Sequence, residues 1–242
     1  WFEAMEQIVD EIEQAGGVMV DGVKRPMHLR FLVGVPRNIS PQETFVVLNK
    51  IKFLARHPYI VGMDMNGYES NKTRHFFWAL AHMGRWARDS HANAQDAPWD
   101  LKDKFIIQVH AGETAKNHDN VGRGVALAEH YDVRVMIGHA ISAEFSEQEA
   151  RWMKRQSSEA MRAQDRLIFQ MCPDSNQTFQ AKPLVHHAPI KKRLSQAQCV
   201  LASDGAGAIG TGSRALAYSA LAAGVSLDQL AAMQHYERAF IG

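Results

Sequence analysis

The sequence predicts an α/β fold: a parallel sheet covered by helices. Three observations carry that prediction. Short apolar runs alternate with stretches of helical spacing along the 242 residues, and strand–helix alternation marks a parallel sheet. Hydrophobic residues make up 46% of the chain, enough for one large core and too many for a disordered chain. Histidines and carboxylates stand at the ends of several apolar runs, which is where a sheet of this kind places its site.

The elements follow in order. Phe2, Met5, Ile8, Val9 and Ile12 recur at helical spacing, so residues 1–15 form an amphipathic helix that Gly16-Gly17 ends. Residues 27–35 read as a strand stopped by Pro36. Ser40-Pro41, a cap followed by proline, introduces a helix over 44–56. Residues 59–65 are a second strand and 74–89 an apolar-rich helix. A strand at 104–109, a helix at 120–130 and a strand at 133–137 come next. A polar helical stretch spans 145–164, then a strand at 167–171, a short helix at 189–197 and a last strand at 199–202. Helices at 212–223 and 227–240 finish the chain.

Six strands emerge, each followed by helix, with every candidate polar residue at a strand's C-terminal end. A closed barrel of this type has eight strands and carries its site at that end. We read six consecutive strands of a (β/α)8 TIM-type barrel, the first two missing. Residues 1–242 then belong to a single barrel domain of a longer chain, which also suits a start at Trp1. An open doubly wound sheet is the alternative, because alternation alone does not separate the two.

Bulk properties narrow the function. The net charge of +1 points to no nucleic-acid partner. Two cysteines, Cys172 and Cys199, make no disulfide framework and suit a reducing, cytoplasmic setting. No run is long and apolar enough to span a membrane, and no signal peptide is visible. Oligomeric state is left open.

The chemistry centres on His110-Ala111-Gly112-Glu113, which follows the apolar run 104–109. A neutral imidazole ligates metals, and a carboxylate three residues on can move a proton beside it. Alone this is a weak signal, and a histidine in a polar turn explains it as well. His139 after Gly138, and Asp204 after the run 199–202, stand at equivalent strand ends and tip the balance toward a metal hydrolase. Taken singly, His139 could be a satisfied core histidine and Asp204 a helix cap. Asp64, Gly67 and Glu69 follow the second strand; an ordinary turn accounts for them equally well. Cys172-Pro173 reads as turn chemistry rather than a nucleophile. Lys191-Lys192-Arg193 reads as a solvated helix face, and the glycines from Gly205 to Gly210 lack the phosphate-loop pattern.

In order and rough spacing these segments resemble the adenosine deaminase family. They are His110-Ala111-Gly112-Glu113, Gly138-His139, Cys172-Pro173-Asp174-Ser175-Asn176 and Ser203-Asp204. Gly62-Met63-Asp64-Met65-Asn66-Gly67-Tyr68-Glu69 and His187-Ala188-Pro189-Ile190-Lys191-Lys192 resemble further family segments, so the similarity runs from about Met27 to the C-terminus. The resemblance implies a zinc-dependent (β/α)8 barrel, with one ion per chain, that hydrolyses the exocyclic amine of adenine nucleosides or nucleotides. His110 would ligate zinc and Glu113 would donate a proton to the purine ring. His139 would orient and stabilise the attacking hydroxide. Asp204 would ligate zinc and accept the water's proton, and Gly67 would contact the purine through its backbone.

Two departures from the family pattern are visible. The family's His-x-His zinc pair lies on a first strand that this sequence does not contain, so the metal shell is incomplete and this piece alone should bind zinc poorly. Where the family usually has a second aspartate followed by proline, this chain has Gly205 and Ala206. That aspartate normally holds a purine nitrogen, so Gly205 is a substrate-binding position at which specificity should differ. Rival readings are another metal-dependent amidohydrolase, or a non-catalytic deaminase-like subunit of a larger assembly such as an antiviral defence complex.

Overall fold

A computed structural model describes residues 2–16, 18–20, 22–25, 29–89, 105–113, 119–131, 133–139, 166–175, 194, 198–204 and 213–241. The chain opens with α1 (Phe2–Ala15) and a small hairpin of β1 (Val18–Val20) and β2 (Val23–Arg25). There follow β3 (Phe31–Pro36), α2 (Pro41–Leu54), β4 (Ile60–Asn66), α3 (Thr73–Asp89), β5 (Ile106–Ala111), α4 (Asp119–Tyr131) and β6 (Arg134–His139). β7 (Leu167–Met171), β8 (Cys199–Leu201), α5 (Ser213–Ala222) and α6 (Leu227–Ile241) complete the described elements. The helices expected at 145–164 and 189–197 lie outside the described residues, apart from Leu194.

β3 to β8 form one six-stranded sheet whose spatial order is the chain order. Every neighbouring pair is parallel. Side chains alternate between faces along a strand, and the register assigns them. One face carries Met63, Ile107, Val109, Ile137, Phe169 and Met171, all fully buried against residues of α2, α3 and α4 such as Leu48, Leu80 and Leu127. A helix-covered parallel sheet reads as apolar runs for this reason.

The other face differs. There Asp64 pairs with Gln108 in register, and Gln108 with Met136. Ile106, Met136, Ile168 and Val200 make a small apolar cluster on this face, closed by Phe240 of α6. Toward the C-terminal strand ends the face turns polar: the Gln108 amide donates to Gln170 Oε1 at 3.0 Å, beside His110.

The strand expected from residue 27 begins at Phe31. The Leu29 amide instead donates to the Glu13 carboxylate of α1 at 3.2 Å, and Arg30 binds the same oxygen at 3.3 Å. The β1–β2 hairpin was not foreseen. α2 starts at Pro41, three residues earlier than expected, because Ser40 and Glu43 form a reciprocal capping box. Among the described residues no helix is long and apolar enough to cross a membrane.

Candidate metal centre

The sheet brings three donors together at the C-terminal ends of its strands. His110 is on β5 and His139 closes β6, and Asp204 follows β8. One ligand-capable atom from each lies within 4.8 Å of the others. Nδ1 of His110 is 3.2 Å from Nε2 of His139. Nε2 of His139 is in turn 4.0 Å from Asp204 Oδ2 and 4.0 Å from Glu113 Oε2. His110, Glu113, His139 and Asp204, all named from the sequence, therefore share one site. His139, expected to orient water, stands close enough to be a ligand as well.

Local backbone explains how the side chains converge. His139 and Asp204 have φ of 68° and 60°, and they are the non-glycine residues with positive φ among those described. That region is unfavourable for side-chain-bearing residues and clusters at functional sites. Gly138 stands beside His110 in register, and the imidazole packs over its backbone. Ser175 donates its hydroxyl to Asp204 Oδ2 and fixes that carboxylate.

Asp64 completes the surroundings from β4. Its Oδ1 lies 3.3 Å from His110 Nε2. That oxygen is buried and faces Nε2 at the long limit of a hydrogen bond, short of good alignment. Asn66 donates to the other oxygen at 3.4 Å. Burial disfavours the His110 imidazolium, but the Asp64 contact and the charges of Asp64, Asp204 and Glu113 outweigh it and raise the pKa above 6.5. The cluster thus has an excess of negative charge that a cation would neutralise.

Two nitrogen donors and a carboxylate are a zinc-type set. The donors fit a divalent ion through His110 and Asp204, with His139 in reach. Cys172 is no competitor: burial and then the charge of Asp204 push its thiol up to about 12, far from the thiolate that ligates or attacks.

Gly67 sits just beyond β4 with φ of 97°, and a Cβ there would lie 3.5 Å from the Arg37 amide. Gly205 lies outside the described residues. Arg37 was not foreseen: it is 2% exposed and donates to the carbonyls of His110 and Asn71. A lone arginine after a strand-ending proline carries no local signal of that role. Glu69, for which the sequence weighs a site and an ordinary turn equally, is buried and accepts the Gly112 amide at 2.6 Å. No protein-family model matches this chain, and no curated protein matches it.

Proposed function

We propose that this chain is the greater part of a (β/α)8 barrel of the adenosine deaminase kind and catalyses zinc-dependent hydrolytic deamination of adenine nucleosides or nucleotides. The observation that carries the reading is the meeting of His110, His139 and Asp204 within 4.8 Å, with Glu113 4.0 Å from His139. The strand order supports the barrel. Doubly wound sheets reverse their strand order at a switch point, whereas β3 to β8 run in sequence with no reversal. The face bearing Asp64, Gln108, His110 and Gln170 suits a barrel interior that opens on a site. Two further strands between β8 and β3 would close it.

His110 and Asp204 would hold the zinc. A bound zinc lowers the pKa of water toward neutrality and so supplies a nucleophile at neutral pH. Glu113 protonates a ring nitrogen of the purine, which makes the amine-bearing carbon electrophilic. His139 orients the attacking water, and Asp204 takes its proton. The C–O bond forms, the C–N bond breaks, ammonia leaves with the proton that Asp204 took, and the hydroxyl proton of the new carbonyl returns to Glu113, giving inosine or its nucleotide. The Gly67 backbone faces the purine, and Gly205 widens the substrate range toward nucleotides.

The test is ammonia release by the full-length, zinc-supplied protein from adenosine, its phosphates and adenine. Glu113→Gln is expected to keep the fold and the metal while turnover falls by roughly 10²–10⁴-fold, the usual share of general acid–base catalysis. No release from any of these substrates sinks the deaminase reading. Release from a different amine or amide supports the wider amidohydrolase class, and metal-free protein with no turnover supports a non-catalytic subunit.

A further inference from the structure

Arg37 and Glu69 are each 2% exposed, although neither belongs to the histidine–aspartate cluster. They stand in the loops after β3 and β4. A buried charge is costly unless it is hydrogen-bonded and paired, and here the partners are parts of the site's own frame. One terminal N–H of Arg37 reaches the His110 carbonyl and another the Asn71 carbonyl, the latter at 3.1 Å. Glu69 Oε1 accepts the Gly112 amide at 2.6 Å and the Asn120 side-chain amide at 3.1 Å. Asn120, fully buried in the first turn of α4, in turn accepts the Thr73 amide that opens α3 at 2.8 Å. Burial works against the Arg37 charge, and Glu69 is the largest of the carboxylates that sustain it. Three strand-end loops and two helix starts are therefore tied by the hydrogen bonds of two buried charges.

Gly112 is where this matters. Its φ is 78°, and it immediately precedes Glu113. Glycine adopts such a turn readily but does not hold it. The direction in which Glu113 leaves β5 must be set by a partner, and the Gly112 amide has a charged acceptor at 2.6 Å. A charge-assisted bond of this kind is about twice as strong as a neutral one.

We propose that Glu69 is the positioning residue of this site: through the Gly112 amide it aims the Glu113 carboxylate toward His139, while Arg37 holds the His110 carbonyl in the same frame. The positioning stands on the hydrogen bonds alone; its consequence for turnover rests on the reading of Glu113 as proton donor.

The experiment compares Glu69→Ala and Glu69→Gln with wild type in the full-length protein. Amide hydrogen exchange of segment 110–113 is expected to quicken by about tenfold or more in Glu69→Ala, with segment 167–171 of β7 unchanged, as for a local opening. Turnover should fall by about a hundredfold, because small misplacements of a reacting group cost that much, while KM and zinc content hold. Glu69→Gln keeps an acceptor oxygen without the charge and should recover part of both losses. Should the alanine variant not fold, the glutamine variant carries the comparison, with exchange at 110–113 still several-fold faster than wild type by the weaker neutral bond. Wild-type exchange at 110–113, or a rise shared equally by 167–171, overturns the proposal. If the wild type releases no ammonia, the deaminase reading fails by itself and the exchange result still decides the role of Glu69.

Discussion

Nδ1 of His110 lies 3.2 Å from Nε2 of His139 across the join between β5 and β6, with ring centroids 5.1 Å apart. Two imidazoles at that distance share one proton or one cation. Asp204 and Glu113 each come within 4.0 Å of the same His139 nitrogen, so positive charge is stabilised there, and the carboxylate of Asp204 completes a donor set that suits a metal ion. Elemental analysis of the full-length protein is expected to give about one divalent ion per chain. His110→Ala and Asp204→Ala should each reduce it to a small fraction while circular dichroism stays that of the wild type. Active protein without metal would contradict the assignment.

Gly62 should resist substitution for a reason local to the sheet. A Cβ at this position in β4 would lie 2.1 Å from the Ile106 carbonyl oxygen of β5 and 2.8 Å from Leu32 Cδ2. The strands cannot separate there without disturbing the parallel register that sets Asp64 beside Gln108. Gly62→Ala is expected to cost about 2–3 kcal/mol, as overpacking does, read from urea unfolding. An unchanged midpoint would show that the β4–β5 register differs from the one described.

The fold was legible where one local pattern decided it. β7 occupies the expected residues 167–171 and α3 starts one residue before the expected 74 because uninterrupted apolar runs and helical spacing admit few alternatives. The hairpin of β1 and β2 was missed although its signal is present: Asp21-Gly22 between short valine-rich runs is a hairpin dipeptide, and Gly22 has the required φ of 77°. His110, Glu113, His139 and Asp204 were legible because each follows an apolar run. Arg37 and Glu69 were not, since their roles come from tertiary partners, the His110 carbonyl and the Gly112 amide, that lie far away in the chain.

The start of α2 gives a pH dependence. Ser40 Oγ accepts the Glu43 amide at 3.2 Å, and Glu43 Oε2 accepts the Ser40 amide at 2.8 Å. The bonds from the Ser40 backbone and then its side chain hold the Glu43 carboxyl below its ordinary 4.5. The folded state thus prefers the carboxylate, so the stabilisation is complete above 4.5 and is lost as pH falls through the lower folded value. Glu43→Gln should unfold at less urea than wild type near neutral pH, with the gap closing in acid. A gap of constant size down to about pH 3 would rule out a charged cap.

Asp64 should govern how tightly His110 holds a metal. Its Oδ1 is buried 3.3 Å from His110 Nε2, and a carboxylate facing one ring nitrogen draws the proton to that nitrogen. The lone pair is then left on Nδ1, the nitrogen that faces His139. The Gln108 amide keeps a second N–H near the same Nε2 at 3.4 Å, but a carboxylate outweighs a neutral donor at that length, so Asp64 is the group that sets the tautomer. Removing its charge also removes the largest cause raising the His110 pKa, so the imidazole of the metal-free variant should titrate at a lower pH. The two effects oppose each other: an easier loss of the proton favours metal, while a freely exchanging tautomer and a slack ring disfavour it. Partners of metal-ligating histidines typically contribute 10–100-fold in affinity, and proton competition is weak well above the ordinary histidine pKa, so the loss of orientation should win there. Asp64→Asn is therefore expected to bind zinc about 10–100-fold more weakly at about pH 8, measured by competition with a chelator, with its urea midpoint close to wild type. Equal zinc affinity in the two proteins would mean that Asp64 does not orient His110.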